Sequence, residues 1–339
     1  MASLLRCLAV LAGFFMPVFL GIETSCDETA AAVVRDGREV LSSCLVSQID
    51  LHKTFGGVVP EVAARKHLET VNYVIADAMN KSGLSYNDLD GIAFTAGPGL
   101  VGTLLTGMLA AKSLAWAHDL PLFAVDHLLA HVAANFINTE LKPPFIALLV
   151  SGGHTQIIHF PDFKNGVILG KTLDDAAGEA YDKVARLLGL PYPGGATIDR
   201  LAQTGDSNAF KFPEGVVAGY NFSFSGLKTA VLRCVEKLEA PLPIEDLAAS
   251  FQEAVTRVLV RKTLKAQEET GAPYIVLAGG VAANKTLRAK FDEQSPVPVY
   301  YPKMDFCTDN AAMVAAAAEF CGKPVDLSCG VYSRMKNGT

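Results

Sequence analysis

The order of elements along this chain is stated twice. From Val18, three short apolar runs stand in series, VFLGIE, TAAAVVR and REVLSSCLVS, the last two joined through Asp36-Gly37. Short apolar runs bounded by turn residues read as strands, and Asp-Gly between two of them reads as a hairpin turn. A helical stretch over roughly 60–81 follows. Then come the strand GIAFTAG, a Gly97-Pro98-Gly99 turn, a helix through Leu114, the strand LFAVD and a helix carrying HLLAHVAANF. After Pro143-Pro144 the order returns with the strands FIALLVS, TQIIHF and GVILGKTL and a helix from about Asp175 to Leu188. The strand YIVLAGG, the helix ANKTLRAKF, the strand VYYP and the helix TDNAAMVAAAAEF complete it. Such a repeat predicts a duplicated α/β protein whose ligands bind in a cleft where loops at the strand ends face one another. The expected division is an N-terminal lobe over 16–142 and a C-terminal lobe over 143–339, the latter with a mainly helical insertion at about 190–270.

The composition supports two packed cores. In 339 residues, 50% are apolar and 19% charged, which excludes a disordered chain. A net charge of −6 argues against coating nucleic acid through bulk charge but leaves room for a local basic patch. Arg257, Arg261, Lys262 and Lys265 on a predicted helix form either such an RNA contact or a solvated face. The seven cysteines at 7, 26, 44, 234, 307, 321 and 329 include no Cys-x-x-Cys pair, a pattern that fits a reducing compartment. The apolar run over 1–15, MASLLRCLAVLAGFF, has a signal-like character, yet cleavage near it would damage the first functional loop. It reads as an extension upstream of a start at Met16 or, alternatively, as a targeting segment. No other apolar stretch reaches the roughly 20 residues that span a bilayer.

Three glycine-bearing turns follow apolar strands: Gly21 to Glu28, Ser151-Gly152-Gly153-His154, and Ala278-Gly279-Gly280-Val281. Glycine permits close approach of backbone N–H groups to a phosphate, although such turns also merely connect strands. Neither a Walker loop nor a dinucleotide Gly-x-Gly-x-x-Gly fingerprint is present. His127 and His131 lie four apart on a predicted helix, so both imidazoles leave one face. Asp309, expected just behind a Thr308 cap, begins the corresponding helix of the second half, and pseudo-symmetry sets it opposite the two histidines. Two imidazoles and a carboxylate suit one divalent ion, Fe²⁺ or Zn²⁺. A zinc peptidase is excluded because Leu128 occupies the place of the catalytic Glu of His-Glu-x-x-His. Asp175, Glu179 and Asp182 fall on one helix face, with Asp174 just before it; they are either a solvated acidic surface or a contact for ribose hydroxyls.

At these residues the sequence resembles the TsaD family of tRNA threonylcarbamoyltransferases. The segments GIETSCDET (21–29), GGVVPEVAARKH (56–67), TAGPGLVGTLL (95–105), HLLAH (127–131) and LLVSGGHTQ (148–156) carry the likeness. DDAAGEAYDKVARLLGLPYPGG (174–195), FSFSGLKTA (222–230), LAGGVAANKTLR (277–288) and FCTDNAAM (306–313) extend it. His154 marks the bacterial and organellar form. The resemblance implies a duplicated actin/Hsp70-like (ASKHA) fold. It also implies transfer of a threonylcarbamoyl group from threonylcarbamoyl-AMP to N6 of the adenosine 3′ of the anticodon, in tRNAs reading codons that begin with A. It implies His127, His131 and Asp309 as ligands of a metal, most often iron. Leu149, Val150, Ser151, Gly152, Gly153, Asp182, Gly195, Asp199 and Asn284 would contact the adenylate, and Glu28 would stand near the phosphate as the catalytic candidate. Implied partners are TsaB-like and TsaE-like proteins or a second copy of the chain, and the implied compartment is the cytoplasm, or an organellar stroma or matrix if 1–15 is a targeting segment. Two segments depart from the family pattern: the extension before Met16, and the chain after Cys321, where GVYSRMKNGT matches only loosely. A small-molecule kinase of the same fold and a noncatalytic nucleotide-binding regulator are the alternative functions; Mg²⁺, which a kinase needs, prefers oxygen ligands.

Overall fold

The computed structural model describes residues 16–334; the apolar run at 1–15 lies outside the described residues, as do 335–339. The first half runs β1 (Val18–Glu23), β2 (Glu28–Arg35), β3 (Glu39–Ser47), α1 (Ile49–Lys53), α2 (Pro60–Ser82), β4 (Gly91–Gly97), α3 (Val101–His118), β5 (Leu122–Asp126) and α4 (His127–Ala133). The second runs β6 (Phe145–Val150), β7 (Thr155–Phe160), β8 (Val167–Lys171), α5 (Ala177–Leu187), α6 (Gly194–Ala202), α7 (Ser225–Val235), α8 (Ile244–Thr270), β9 (Ile275–Ala278), α9 (Lys285–Gln294), β10 (Val299–Tyr300), α10 (Ala311–Cys321) and β11 (Pro324–Val325). Among the described residues no helix is long and apolar enough to cross a membrane.

The described residues form two sheets, ordered β11-β5-β4-β1-β2-β3 and β10-β9-β6-β7-β8. Their pairing agrees strand for strand. β1 and β6 each pair antiparallel with the next strand, which pairs antiparallel with the third. On their other side β1 and β6 pair in parallel with β4 and β9, which in turn pair in parallel with β5 and β10. The central strands VFLGIE and FIALLV are buried at every position, because a strand covered on both faces has no solvent side to alternate toward. The edge strand β3 alternates instead. Leu20, Ile22, Val33, Ile92 and Phe94 centre the first core; Leu148, Tyr181, Phe251 and Leu259 centre the second.

The chain divides into two compact units, and their bounds differ from a single cut near 142. The first takes the chain through Ser47, Pro60–Thr139 and Asn310 onward; the second takes Gln48–Val59 and Glu140–Asp309. The last helix therefore belongs with the first sheet although it follows the second in sequence. Its reason is local: α10 is alanine-rich and lies directly on β1, so close that a Cβ on Gly21 would collide with the carbonyl oxygen of Ala311. The segment before α2 is drawn to the second unit, where Arg186 donates to the carbonyl of Gly56 at 2.8 Å. The region expected as a helical insertion holds α6, α7 and α8, with the 27-residue α8 as its buried axis.

Candidate metal centre and nucleotide subsite

Asp126, the last residue of β5, caps α4: its Oδ1 accepts from the amides of Leu128 at 2.8 Å and Leu129 at 3.0 Å. The helix then presents His127 and His131 one turn apart, their rings edge to face with centroids 4.7 Å apart. Asp309 stands one peptide bond before Asn310. The expected Thr308 cap is corrected here: Asn310 is extended and its side chain accepts from the amide of Met313 at 3.0 Å, so Asn310 caps α10 and Asp309 stays outside the helix. One nitrogen from each histidine and one Asp309 oxygen all lie within 4.8 Å of one another. Bonds of about 2.0–2.1 Å put neighbouring donors on one tetrahedral ion about 3.4 Å apart, so side-chain shifts of about an ångström would close the cluster on a metal. The donor set, two borderline nitrogens and one hard oxygen, fits a transition ion better than Mg²⁺.

Glu23, fully buried at the end of β1, was not among the residues singled out from sequence. Its Oε2 lies 3.2 Å from His127 Nδ1 and accepts from the Thr95 hydroxyl at 2.6 Å, while Oε1 accepts from the Ser25 amide at 2.5 Å. A carboxylate on one imidazole nitrogen leaves the other to bind a metal, and fixes the ring plane. Its signal in the sequence was an acidic residue closing an otherwise apolar central strand. Glu28, by contrast, begins β2, and its carboxylate accepts from the Ser47 hydroxyl at 3.2 Å on the neighbouring strand.

In the second unit the Ser151–His154 turn is closed twice: the Ser151 amide donates to the His154 carbonyl at 2.8 Å, and the His154 amide to Ser151 Oγ at 3.1 Å. Gly152 and Gly153 are left exposed, with open space where a Cβ would stand. Such consecutive uncovered amides favour an anion. The start of α5 abuts this turn, since a Cβ on Gly178 would stand 2.6 Å from the Ser151 carbonyl oxygen. Leu149 and Val150 are buried in β6, so only their main chain is available to a ligand.

Asp182 accepts from the Gly194 amide at 2.8 Å, which ties α5 to the start of α6 at Gly194-Gly195. Burial raises its carboxyl above the usual range, against the pull of those amides and of Arg186. Asp199 on α6 accepts from Gln252 Nε2 at 3.1 Å and from the Lys285 amide at 3.3 Å. Asn284 caps α9, and its Nδ2 donates to Gln252 Oε1 at 2.7 Å. Gln252 of α8 thus joins Asp199 and Asn284, with the buried Tyr181 hydroxyl beside them at 3.3 Å. Tyr181 and Gln252 were missed from sequence; a glutamine inside the apolar run LAASFQEAV was the available signal.

The remaining charged motifs are held in ion pairs and hydrogen bonds. Asp175 and Glu179 both pair with Lys183, at 2.6 and 2.9 Å. Burial alone would raise the Asp174 carboxyl, but it accepts from the Ser223 hydroxyl and the Phe224 and Ser225 amides, which together lower it. Arg257 and Arg261 share Glu214, and Lys262 donates to the carbonyls of Val217, Gly219 and Asn221.

Comparison with known proteins fits this geometry. The profile described as TsaD, tRNA N6-adenosine threonylcarbamoyltransferase, matches residues 39–316. A protein of that name from Caldicellulosiruptor bescii is 53% identical over 308 residues, covering 89% of this chain and 92% of its own. Another from Microcystis aeruginosa is 51% identical over 335 residues, covering 94% and 97%. Among solved structures, HypF from T. kodakarensis superposes with a TM-score of 0.63 at 17% identity, over 89% of this chain and 47% of that one. Component A of the Acidaminococcus fermentans (R)-2-hydroxyglutaryl-CoA dehydratase does so with a TM-score of 0.52 at 15% identity, over 89% and 98%. These two likenesses concern the fold alone, the duplicated actin/Hsp70-like architecture. With its strand-for-strand repeat and a profile match across most of its length, the chain belongs to the TsaD family, the tRNA N6-adenosine threonylcarbamoyltransferases.

Proposed function

We propose that this chain transfers the threonylcarbamoyl group of threonylcarbamoyl-AMP to N6 of the adenosine 3′ of the anticodon in tRNAs reading ANN codons, releasing AMP and forming N6-threonylcarbamoyladenosine. The observation that carries the reading is the His127, His131 and Asp309 cluster within a chain about half identical to enzymes of that name. A carbamoyl–phosphate mixed anhydride is already activated, so the protein's work is chiefly to position the amine and to stabilise departing phosphate. The Gly152-Gly153 amides would face that phosphate, reinforced by the main chain of Leu149, Val150 and Ser151. Asp182 with Gly195, Asp199 and Asn284 would hold the adenosine, and Glu28 is the proposed residue at the reacting group. His127, His131 and Asp309 would hold one divalent ion, Fe²⁺ by resemblance or Zn²⁺. When bound there, such an ion supplies Lewis-acid polarisation of the carbamoyl oxygen or neutralises phosphate charge. The accepting adenosine lies in an anticodon loop, whose unstacked bases are reachable without opening a duplex.

The family resemblance also supports a TsaB-like and a TsaE-like partner, or self-association, and work in the cytoplasm or an organellar stroma or matrix. A small-molecule kinase is disfavoured by the donor set and by the names of the relatives. The test is isotope transfer from labelled threonylcarbamoyl-AMP to unmodified tRNA, with a TsaB-like and a TsaE-like protein supplied. Labelled nucleoside is expected from wild type and loss of at least 100-fold, with loss of bound metal, from His131→Ala. No product under any of these conditions would reject the activity; unchanged metal content in the variant would reject the ligand assignment.

A further inference from the structure

The chain beyond α10 lies past the region matched by the family profile, which ends at residue 316. It nevertheless stays on the first unit. β11 pairs antiparallel with β5, Pro324 opposite Phe123 and Val325 opposite Leu122. Lys112 then donates to the Cys329 carbonyl at 2.5 Å, and the Tyr332 amide donates to the Ala96 carbonyl at 2.9 Å. The Tyr332 main chain lies so near Gly97 that a Cβ there would collide with its carbonyl oxygen. From this anchored position the Tyr332 hydroxyl donates to Asp126 Oδ2 at 2.7 Å. Asp126 is the residue whose other oxygen caps α4 through the Leu128 and Leu129 amides.

The geometry points to Tyr332 as a positioning residue for the metal centre: the tail hydroxyl fixes the Asp126 carboxylate, and through it the first turn of the helix that presents His127 and His131. The physical reason is that a carboxylate torsion is broad and only weakly held by its own chain. With Oδ1 shared by two helix amides and Oδ2 taken by the hydroxyl, rotation would break bonds on both sides. Burial, reinforced by the neighbouring Asp126 charge, pushes the Tyr332 hydroxyl well up, so it remains a donor at neutral pH. Groups that hydrogen-bond a metal ligand typically change metal affinity about 10–100-fold when removed. Tyr332 acts through Asp126 and the helix turn it caps, not on a ligand directly, which places its effect at the lower end, at about tenfold.

This inference rests on reading the cluster as a metal site, and the experiment separates the two. Full-length wild type, Tyr332→Phe, Asp126→Ala and the double variant are titrated with Co²⁺, followed by its visible absorption. Amide hydrogen exchange at Leu128 and Leu129 is measured on the metal-free proteins. Tyr332→Phe is expected to weaken Co²⁺ about tenfold, to alter the absorption band, and to speed exchange of both amides. In the Asp126→Ala background, which offers the hydroxyl no partner, the same change should add nothing further. Unchanged affinity and exchange in Tyr332→Phe would overturn the proposal, as would a full additional loss in the double variant. If wild type takes up no Co²⁺, the metal reading falls; faster exchange in the variant would still support the hold on α4, and unchanged exchange would end it too.

Discussion

Asp182, proposed as a contact of the adenosine, shows at a single residue how such a site would set stability against binding. Its carboxyl is raised above the ordinary 3.8 chiefly by burial, with the Gly194 and Gly195 amides pulling the other way. Because the folded value exceeds the unfolded one, the favourable contribution is fully present when the group is protonated, and it is lost as pH rises through the folded value. Asp182→Asn keeps an oxygen for the Gly194 amide and removes the half-buried charge. Urea unfolding at neutral pH should therefore find the variant as stable as wild type or more so, and the difference should vanish at acidic pH. AMP affinity should fall tenfold or more, since a hydrogen bond to a charged group is worth about 1.5–3 kcal/mol. Retained AMP affinity would remove Asp182 from the subsite. The sequence placed Asp175, Glu179 and Asp182 on one helix face but could not say which of them meets the start of α6. That is set by the packing of α6, which meets Asp182 and leaves the other two to Lys183. The spacing of His127 and His131 was legible for the opposite reason, because a helix's own period brings them together. Glu23 was not, since it reaches His127 only through the pairing of β1 with β4 and the lie of β5 beside them.

At the scale of elements, α10 against β1 is the junction that brings Asp309 to the histidines. Asp309 is bonded to Asn310, and α10 packs on the strand at Gly21 without a side chain between them. Gly21→Ala would force a methyl group against the Ala311 carbonyl and the Ala315 backbone, both fixed parts of a buried helix. Overpacking of this kind typically costs about 1–3 kcal/mol. A lower urea midpoint with an unchanged slope is expected, together with weaker metal uptake, because α10 can yield only by moving its N-terminus. An unchanged midpoint would show that the junction tolerates more space than its distances imply. The alanine-rich run of α10 announced a buried helix in the sequence, yet small residues do not record which sheet they cover. The same limit explains the capping correction: Thr308, Asp309 and Asn310 are all plausible caps by type, and only the extended backbone at Asn310 selects one.

For the whole molecule, one feature left unspent by folding is a stripe on α3. Val101, Leu105, Leu109 and Trp116 are exposed by 48, 39, 56 and 76%, and their spacing sets them on one helix face. Thr103, Leu104, Gly107, Met108, Ala111 and Ala115 on the opposite side meet the core, so this helix is apolar on both faces for different reasons. An exposed apolar stripe of this kind, here interrupted by Lys112, is the usual mark of an interface. Leu105→Asp combined with Leu109→Asp should abolish association with a TsaB-like protein or with a second copy, read by sedimentation velocity. Co²⁺ uptake should be unchanged, because the substituted side chains face solvent; unaltered sedimentation would place the interface elsewhere. What the sequence determined by itself was whatever is periodic or repeated: strand and helix order, the duplication, the histidine pair and the glycine turns, because each depends on spacing within a short stretch. What the tertiary structure decided was every partnership across distance: α10 with the first sheet, Glu23 with His127, Gln252 with Asn284, and the tail hydroxyl with Asp126. Those pairs are set by which surfaces fill each other in a close-packed interior, and a linear pattern carries no record of that.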